Sequence, residues 1–206
     1  MMNRKVRSRI MGVMVGVVAV LAFSPLPAFA QTTTFSGHAV ALRASAAGIA
    51  LALSDTGPLP STGGNLKTSL ASVDVAGLVT VDALGAATSG SGSSSQSQAA
   101  VLNVNVLGGL VAADVVKANS SATCSGGQAT PSGSSEIVGL VVAGLPVLNL
   151  APNVAISVPG GLSLIVNEQI SSSGGNTGSM TVNALHITGP TIDIVVSSAQ
   201  SGITCS

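Results

Sequence analysis

Short valine-rich segments recur along this chain, and Gly, Ser, Asn or Pro stands at nearly every junction between them. Several alternate with period two. Ser72-Val73-Asp74-Val75 and Thr80-Val81-Asp82-Ala83-Leu84 each place apolar and polar residues on opposite sides of an extended backbone. Asn103-Val104-Asn105-Val106 does so most plainly, with two valines on one face and two asparagines on the other. Enrichment in β-branched valine favours strand over helix. About twelve such strands separated by turn signals predict an all-β domain. The architecture expected is an antiparallel β-sandwich, with a β-solenoid as the alternative because small-residue strands and repeated turns also suit stacked coils. Ala39–Leu53 is alanine-rich and so ambiguous with helix, but reads better as a tightly packed strand pair.

The chain has no Trp, no Tyr and three Phe. Its core must therefore be filled with Val, Leu, Ile and Ala, and the layers should approach closely. The same scarcity removes the aromatic platforms on which sugars and bases usually stack, which argues against ordinary lectins and single-strand nucleic-acid binders.

The net charge of zero averages two unlike parts. Arg4, Lys5, Arg7 and Arg9 precede a continuous apolar run, Ile10–Phe23, and then Ala28-Phe29-Ala30. This is the pattern of an export signal peptide over 1–30, cut after Ala30. The apolar run is about 14 residues, short of the roughly 20 a membrane-spanning helix needs. The remaining 31–206 reads as one secreted all-β domain carrying three basic and seven acidic side chains, a net charge of −4. That balance excludes a basic nucleic-acid binder. No later segment reads as transmembrane, so the expected location is extracellular, at the cell surface or in the periplasm, and the expected partners are cell-envelope or extracellular components.

Export permits disulfides. Cys124 and Cys205 are the only cysteines, so a single intramolecular pairing is available. A bridge closing a loop of about 80 residues contributes roughly 4 kcal/mol in the chain-entropy picture. The absence of a CxxC pair argues against redox chemistry, and neither cysteine has the neighbours of a metal-binding motif.

Four stretches read as surface loops that serve as hairpin connections: Ser54–Asn65, Ser89–Ser97, Ser125–Ser135 and Ser171–Gly178, all rich in Ser, Gly and Pro or lacking apolar residues. Between them runs an internal echo. Val104–Cys124 and Val182–Cys205 each begin Val-Asn-x-Leu, pass a glycine-containing break, continue through an apolar segment with one Asp, and end Thr-Cys. The echo predicts two related hairpins whose cysteine ends meet.

The chemistry-bearing inventory is thin. His38 and His186 both lie in strand-like segments, where a hydrogen-bonded strand histidine is the expected role. Asp74 and Asp82 would form a glycosidase-type pair only if their strands brought them opposite each other. No GxSxG, HExxH or phosphate-loop pattern occurs. Asn167-Glu168-Gln169 closes an apolar strand with three polar residues, and Asn183 and His186 interrupt another; these five form a possible structural or recognition motif. No catalytic residue, cofactor or metal site is expected.

The segments Val166-Asn167-Glu168-Gln169, Thr181-Val182-Asn183-Ala184-Leu185-His186-Ile187 and Gly202-Ile203-Thr204-Cys205 resemble the bacterial choice-of-anchor P proteins. The resemblance runs from about Gly37 to Cys205. It implies an extracellular domain whose members carry varied surface-anchoring signals and whose activity is unassigned. Here Cys205-Ser206 is not followed by a sorting motif, which favours a released or non-covalently held form. The function expected is non-enzymatic, a secreted or surface structural or interaction protein. A binding module for a surface polymer or small ligand is the alternative, and a hydrolase with a sparse carboxylate or histidine site comes third.

Overall fold

The computed structural model describes residues 32–206 apart from Ala47 and Ala76. The export signal expected over 1–30 lies outside the described residues. Fifteen strands follow one another among those described, in chain order β1 (Thr34–Ala46), β2 (Ile49–Asp55), β3 (Gly64–Leu70), β4 (Val73–Val75), β5 (Val79–Val81), β6 (Ala83–Ser91), β7 (Ser94–Val106), β8 (Val111–Ser125), β9 (Gln128–Val138), β10 (Val141–Val142), β11 (Leu145–Pro146), β12 (Val154–Val158), β13 (Leu162–Gly174), β14 (Thr177–Gly189) and β15 (Ile192–Thr204). They form two sheets packed face to face. One has six strands in the order β12-β13-β14-β15-β1-β2. The other has nine, built on the long β7–β8 pair, with β6 and β3 beside β7 and β9 beside β8. Each pairing is antiparallel, so the fold is a β-sandwich and not a stack of solenoid coils.

Three of the four stretches do connect hairpins, but most of their residues belong to strands and not to loops. Ser89–Ser97 spans the end of β6 and the start of β7, Ser125–Ser135 lies almost wholly in β9, and Ser171–Gly178 joins β13 to β14. Their hydroxyl-rich composition conceals a ladder held by backbone hydrogen bonds, and only two residues turn the chain at each tip. Gly126 and Gly127 show why glycine sits there. Their φ values of 57° and 74° are those of a turn whose twist matches the flanking strands. Ser54–Asn65 does contain the expected loop, between β2 and β3. The alternating segment Thr80–Leu84 is not one strand: it divides into the end of β5 and the start of β6 at Asp82.

Each sheet carries a transverse crease. In β7 the buried positions are Ser95, Ser97, Ala99 and Val101, then Val104 and Val106. The buried face has moved from odd to even numbers, yet Leu102↔Val115 and Val104↔Ala113 keep one register. No residue has been inserted, as it would be in a bulge. The phase changes at Asn103, whose φ is 51°. In the six-stranded sheet Ser54, Ser197 and Asn167, at φ values of 51°, 58° and 53°, lie level on alternate strands, with Ala41 and Ala184 on the strands between. This accounts for runs such as Ile194–Ala199, in which six consecutive residues are buried.

The crease also divides the interior. On the side of the β14–β15 turn, Leu42, Leu164, Leu185, Ile187 and Ile194 pack with the valines of β5, β7 and β8. On the other side the facing residues are small: Ala39, Ala86 and Ala99 form one cluster, and Gly37 and Gly133 have no room for a Cβ. A methyl on Gly133 would overlap Val182 Cγ2 and come within 2.8 Å of Met180 Cγ on the opposite sheet. Serine hydroxyls tie the layers here. Ser197 Oγ donates to Val116 O at 2.8 Å, Ser201 Oγ to Ser120 O at 3.0 Å and Ser120 Oγ to Met180 O at 2.7 Å. Ser95 Oγ donates to Ser36 O at 2.7 Å. Each such bond contributes about 1 kcal/mol net, and together they satisfy the polar groups that close approach buries.

Cys124, at the end of β8, is bonded to Cys205, just past β15, with Cα atoms 5.6 Å apart. The bridge joins the two sheets at their small-residue end, beside Phe35, Leu59, Ala122 and Ile203. The two echoed segments do form hairpins, β7–β8 and β14–β15, one in each sheet with a cysteine at the end. Their shared Val-Asn-x-Leu opening falls out of step, however. Leu107 already begins the turn after β7, whereas Leu185 lies inside β14.

Candidate functional site

The outer face of the six-stranded sheet gathers both histidines. Register sets Glu168 on β13 opposite Asn183 on β14, and Asn183 opposite Ser198 on β15. The crease separates this row from His186, three positions on from Asn183, and brings the two rows within side-chain reach. His186 Nδ1 lies 2.9 Å from Glu168 Oε2, and its Nε2 lies 3.4 Å from Asp193 Oδ2. Asn183 Nδ2 donates to the same Glu168 oxygen at 2.6 Å, and Ser198 Oγ donates to Asn183 Oδ1 at 2.7 Å. The His186 and Glu168 side chains are 18% and 16% exposed, against 53% for Asp193. One chain of polar contacts therefore links β13, β14 and β15.

The other two motif residues stand at the edge of this chain. Asn167 Nδ2 donates to Leu150 O at 3.2 Å, and Gln169 Nε2 donates to Asn167 Oδ1 at 2.9 Å. Asn153, outside the five motif residues, completes the edge. Its Oδ1 accepts from Gln169 N at 2.8 Å, and its backbone N–H donates to Asn167 O at 3.0 Å. The five motif residues are thus neighbours, with Asn167 and Gln169 fastening the chain that precedes β12 and the other three tying strands together.

This series of Ser, Asn, Glu, His and Asp has the composition of a proton relay but not its geometry. A nucleophilic serine needs a ring nitrogen within hydrogen-bond reach. Ser198 instead donates to an amide oxygen, and each nitrogen of His186 faces a carboxylate. The buried atoms satisfy one another. Among the described residues no group of three His, Cys, Asp or Glu is arranged to hold a metal ion.

His38 occupies the same outer face on β1 and pairs with Asp55 at the end of β2. Asp55 Oδ1 also accepts from Gly57 N at 2.7 Å. Partial burial pushes the Asp55 carboxyl up, but the Gly57 amide, the His38 ring and the charge of Arg43 outweigh it and hold the group below its ordinary value. Asp74 and Asp82 do not form the pair considered from sequence. Asp74 lies opposite Thr80, while Asp82, one residue past β5, accepts from Asn103 Nδ2 at 2.8 Å.

Compared with known protein families, curated proteins and solved structures, the chain matches none.

Proposed function

We propose that this chain is an exported, non-enzymatic domain that serves as a rigid structural or interaction element outside the cytoplasm, at the cell surface or in the surrounding medium. The observation that carries the reading is the Cys124–Cys205 bridge, which fastens one sheet to the other where serine hydroxyls already cross the interface. A bridge of this kind persists in an oxidising compartment, in keeping with the basic and apolar leader that precedes Gln31. The resemblance to choice-of-anchor P proteins supports the same location. The partners proposed are envelope or extracellular components.

Fractionation of the native culture tests the reading. The protein is expected in the medium or the envelope, with Gln31 at its N-terminus and no alkylatable thiol before reduction. Recovery from the cytoplasm with two free thiols and residues 1–30 intact overturns it. The alternative of a binding module draws on a different observation, the unsaturated outer face of the nine-stranded sheet.

A further inference from the structure

The two outer faces of the sandwich differ in how their polar groups are used. On the six-stranded sheet the side chains of Glu168, Asn183, His186 and Ser198 bond to one another. On the nine-stranded sheet two cross-strand rows of outward positions on β7, β8 and β9 carry amides and hydroxyls, and the row beyond them holds Ala100 with Lys117 and Glu136, whose charges pair at 4.0 Å. Gln96, Ser121 and Ser132 form one row, and Gln98, Asn119 and Ser134 the next. Apart from a 3.2 Å contact from Gln96 Nε2 to Ser94 Oγ, these six side chains engage no protein partner among the described residues.

The rows line a trough. A depression of about 530 Å³ lies over Gly85, Ala87 and Ala100, between Lys67 on β3 and Gln98 on β7. It shares Lys67, Ala87 and Gln98 with a second depression of about 210 Å³, which in turn shares Gln96 with a third of about 160 Å³ reaching Ser134. Together they cross β3, β6, β7, β8 and β9. At roughly 4.8 Å per strand the crossing is about 19 Å long. Small residues make the floor: Gly85 has open space where a Cβ would stand. Lys67 is the single charged side chain that lines it.

We infer that this trough binds an extended, uncharged, polyhydroxylated chain, a neutral glycan strand lying across the sheet. Two observations fix the class. The amides and hydroxyls offer donors and acceptors in alternation along a groove far longer than one small molecule, which matches a polymer of hydroxyl groups. The near absence of charge gives a polyanion no run of cations to follow. With no aromatic platform, binding comes from hydrogen bonds exchanged with water and is modest for each site. The inference rests on the surface-domain reading only for where the polymer is met.

The test uses the purified protein in affinity electrophoresis through gels containing neutral mannan, neutral β-glucan or, as the charged comparison, polygalacturonate. Retardation by at least one neutral glycan is expected, unchanged as salt is raised. Gly85→Tyr, which fills the floor, should weaken retardation at least tenfold. Gln98→Ala with Asn119→Ala, two truncations on the outer face that leave the interior untouched, should weaken it by a similar factor. Arg43→Gln, on the other sheet, should leave it unchanged. Retardation by polygalacturonate alone, abolished by salt and by Lys67→Gln, overturns the neutral class. Mobility equal in all gels overturns the site. Either outcome leaves the fractionation result standing, and a cytoplasmic protein that is still retarded would sink the location alone.

Discussion

Replacing Gly133 with Ala adds one methyl at a close approach of the two sheets. Gly133 has no positive φ, so no backbone strain enters and the effect is steric. The new Cβ would overlap Val182 Cγ2 and sit 2.8 Å from Met180 Cγ. Met180 is flexible and can turn aside, whereas Val182 is fully buried and β-branched. Overpacking of this kind costs about 1–3 kcal/mol. For a domain of this size about 2 kcal/mol lowers Tm by roughly 4–8 °C. Val182→Ala alone removes two methylene equivalents and costs about 2 kcal/mol. In the double variant the added methyl occupies part of the space vacated, so the combined loss should fall short of the sum by at least about 1 kcal/mol. Urea denaturation of the four proteins with a common m-value measures this. Gly85→Ala is the control, because open space surrounds that position and its φ is also not positive; it should be neutral or stabilise by about 0.4–1 kcal/mol. A Gly133→Ala protein as stable as the parent, or strictly additive losses, would refute close apposition of the sheets at this point.

Three further outcomes are expected. Cys124→Ser with Cys205→Ser should lose about 4 kcal/mol in urea denaturation, and a loss below about 1 kcal/mol would show that the bridge constrains little. Glu168→Ala leaves the Asn183 amide and the His186 ring without their shared acceptor; a loss of about 2–3 kcal/mol is expected, with Glu168→Gln recovering part of it. The Asp55 carboxyl should titrate below its ordinary 3.8 when followed by NMR. Because its folded value is depressed, its contribution to stability is present above the unfolded value and fades as pH falls through the folded one. His38→Gln should raise the midpoint toward the ordinary value, and an unchanged midpoint would remove the His38 ring from the explanation.

The β-sandwich and the bridge were legible because both rest on local or exhaustive signals. Valine alternation at Ser72–Val75 needs no tertiary knowledge, and two cysteines admit one pairing. The Ser-rich stretches were legible as hairpin connections but not as strands, because serine neither favours strands strongly nor alternates visibly with alanine and glycine. What makes Ser95, Ser97 and Ser120 interior residues is the opposite sheet, whose carbonyls take their hydroxyl protons. The crease escaped for a related reason. A phase change in burial looks, in sequence, like a continuous apolar run, and Ile194–Ala199 reads as a fully buried strand. At the polar motif the residue types were visible and the partnerships were not. Glu168 meets Asn183 through the β13–β14 register, and meets His186 only because the crease shifts the outward phase.

The place of β15 in the sheet orders events in time. It is the last of the described strands, yet it lies between β14 and β1, so that Thr34 pairs with Thr204. Before β15 is in place, β1 can pair with β2 but has no neighbour on its other side. That side of β1 stays open until β15 arrives, and an open strand edge invites pairing with another chain. Completion is a single late insertion that fills the gap in the six-stranded sheet, supplies the hydroxyls of Ser197 and Ser201, and delivers Cys205 to Cys124. The disulfide thus works as a latch that holds β15, once inserted, against the strand that ends at Cys124 on the opposite sheet.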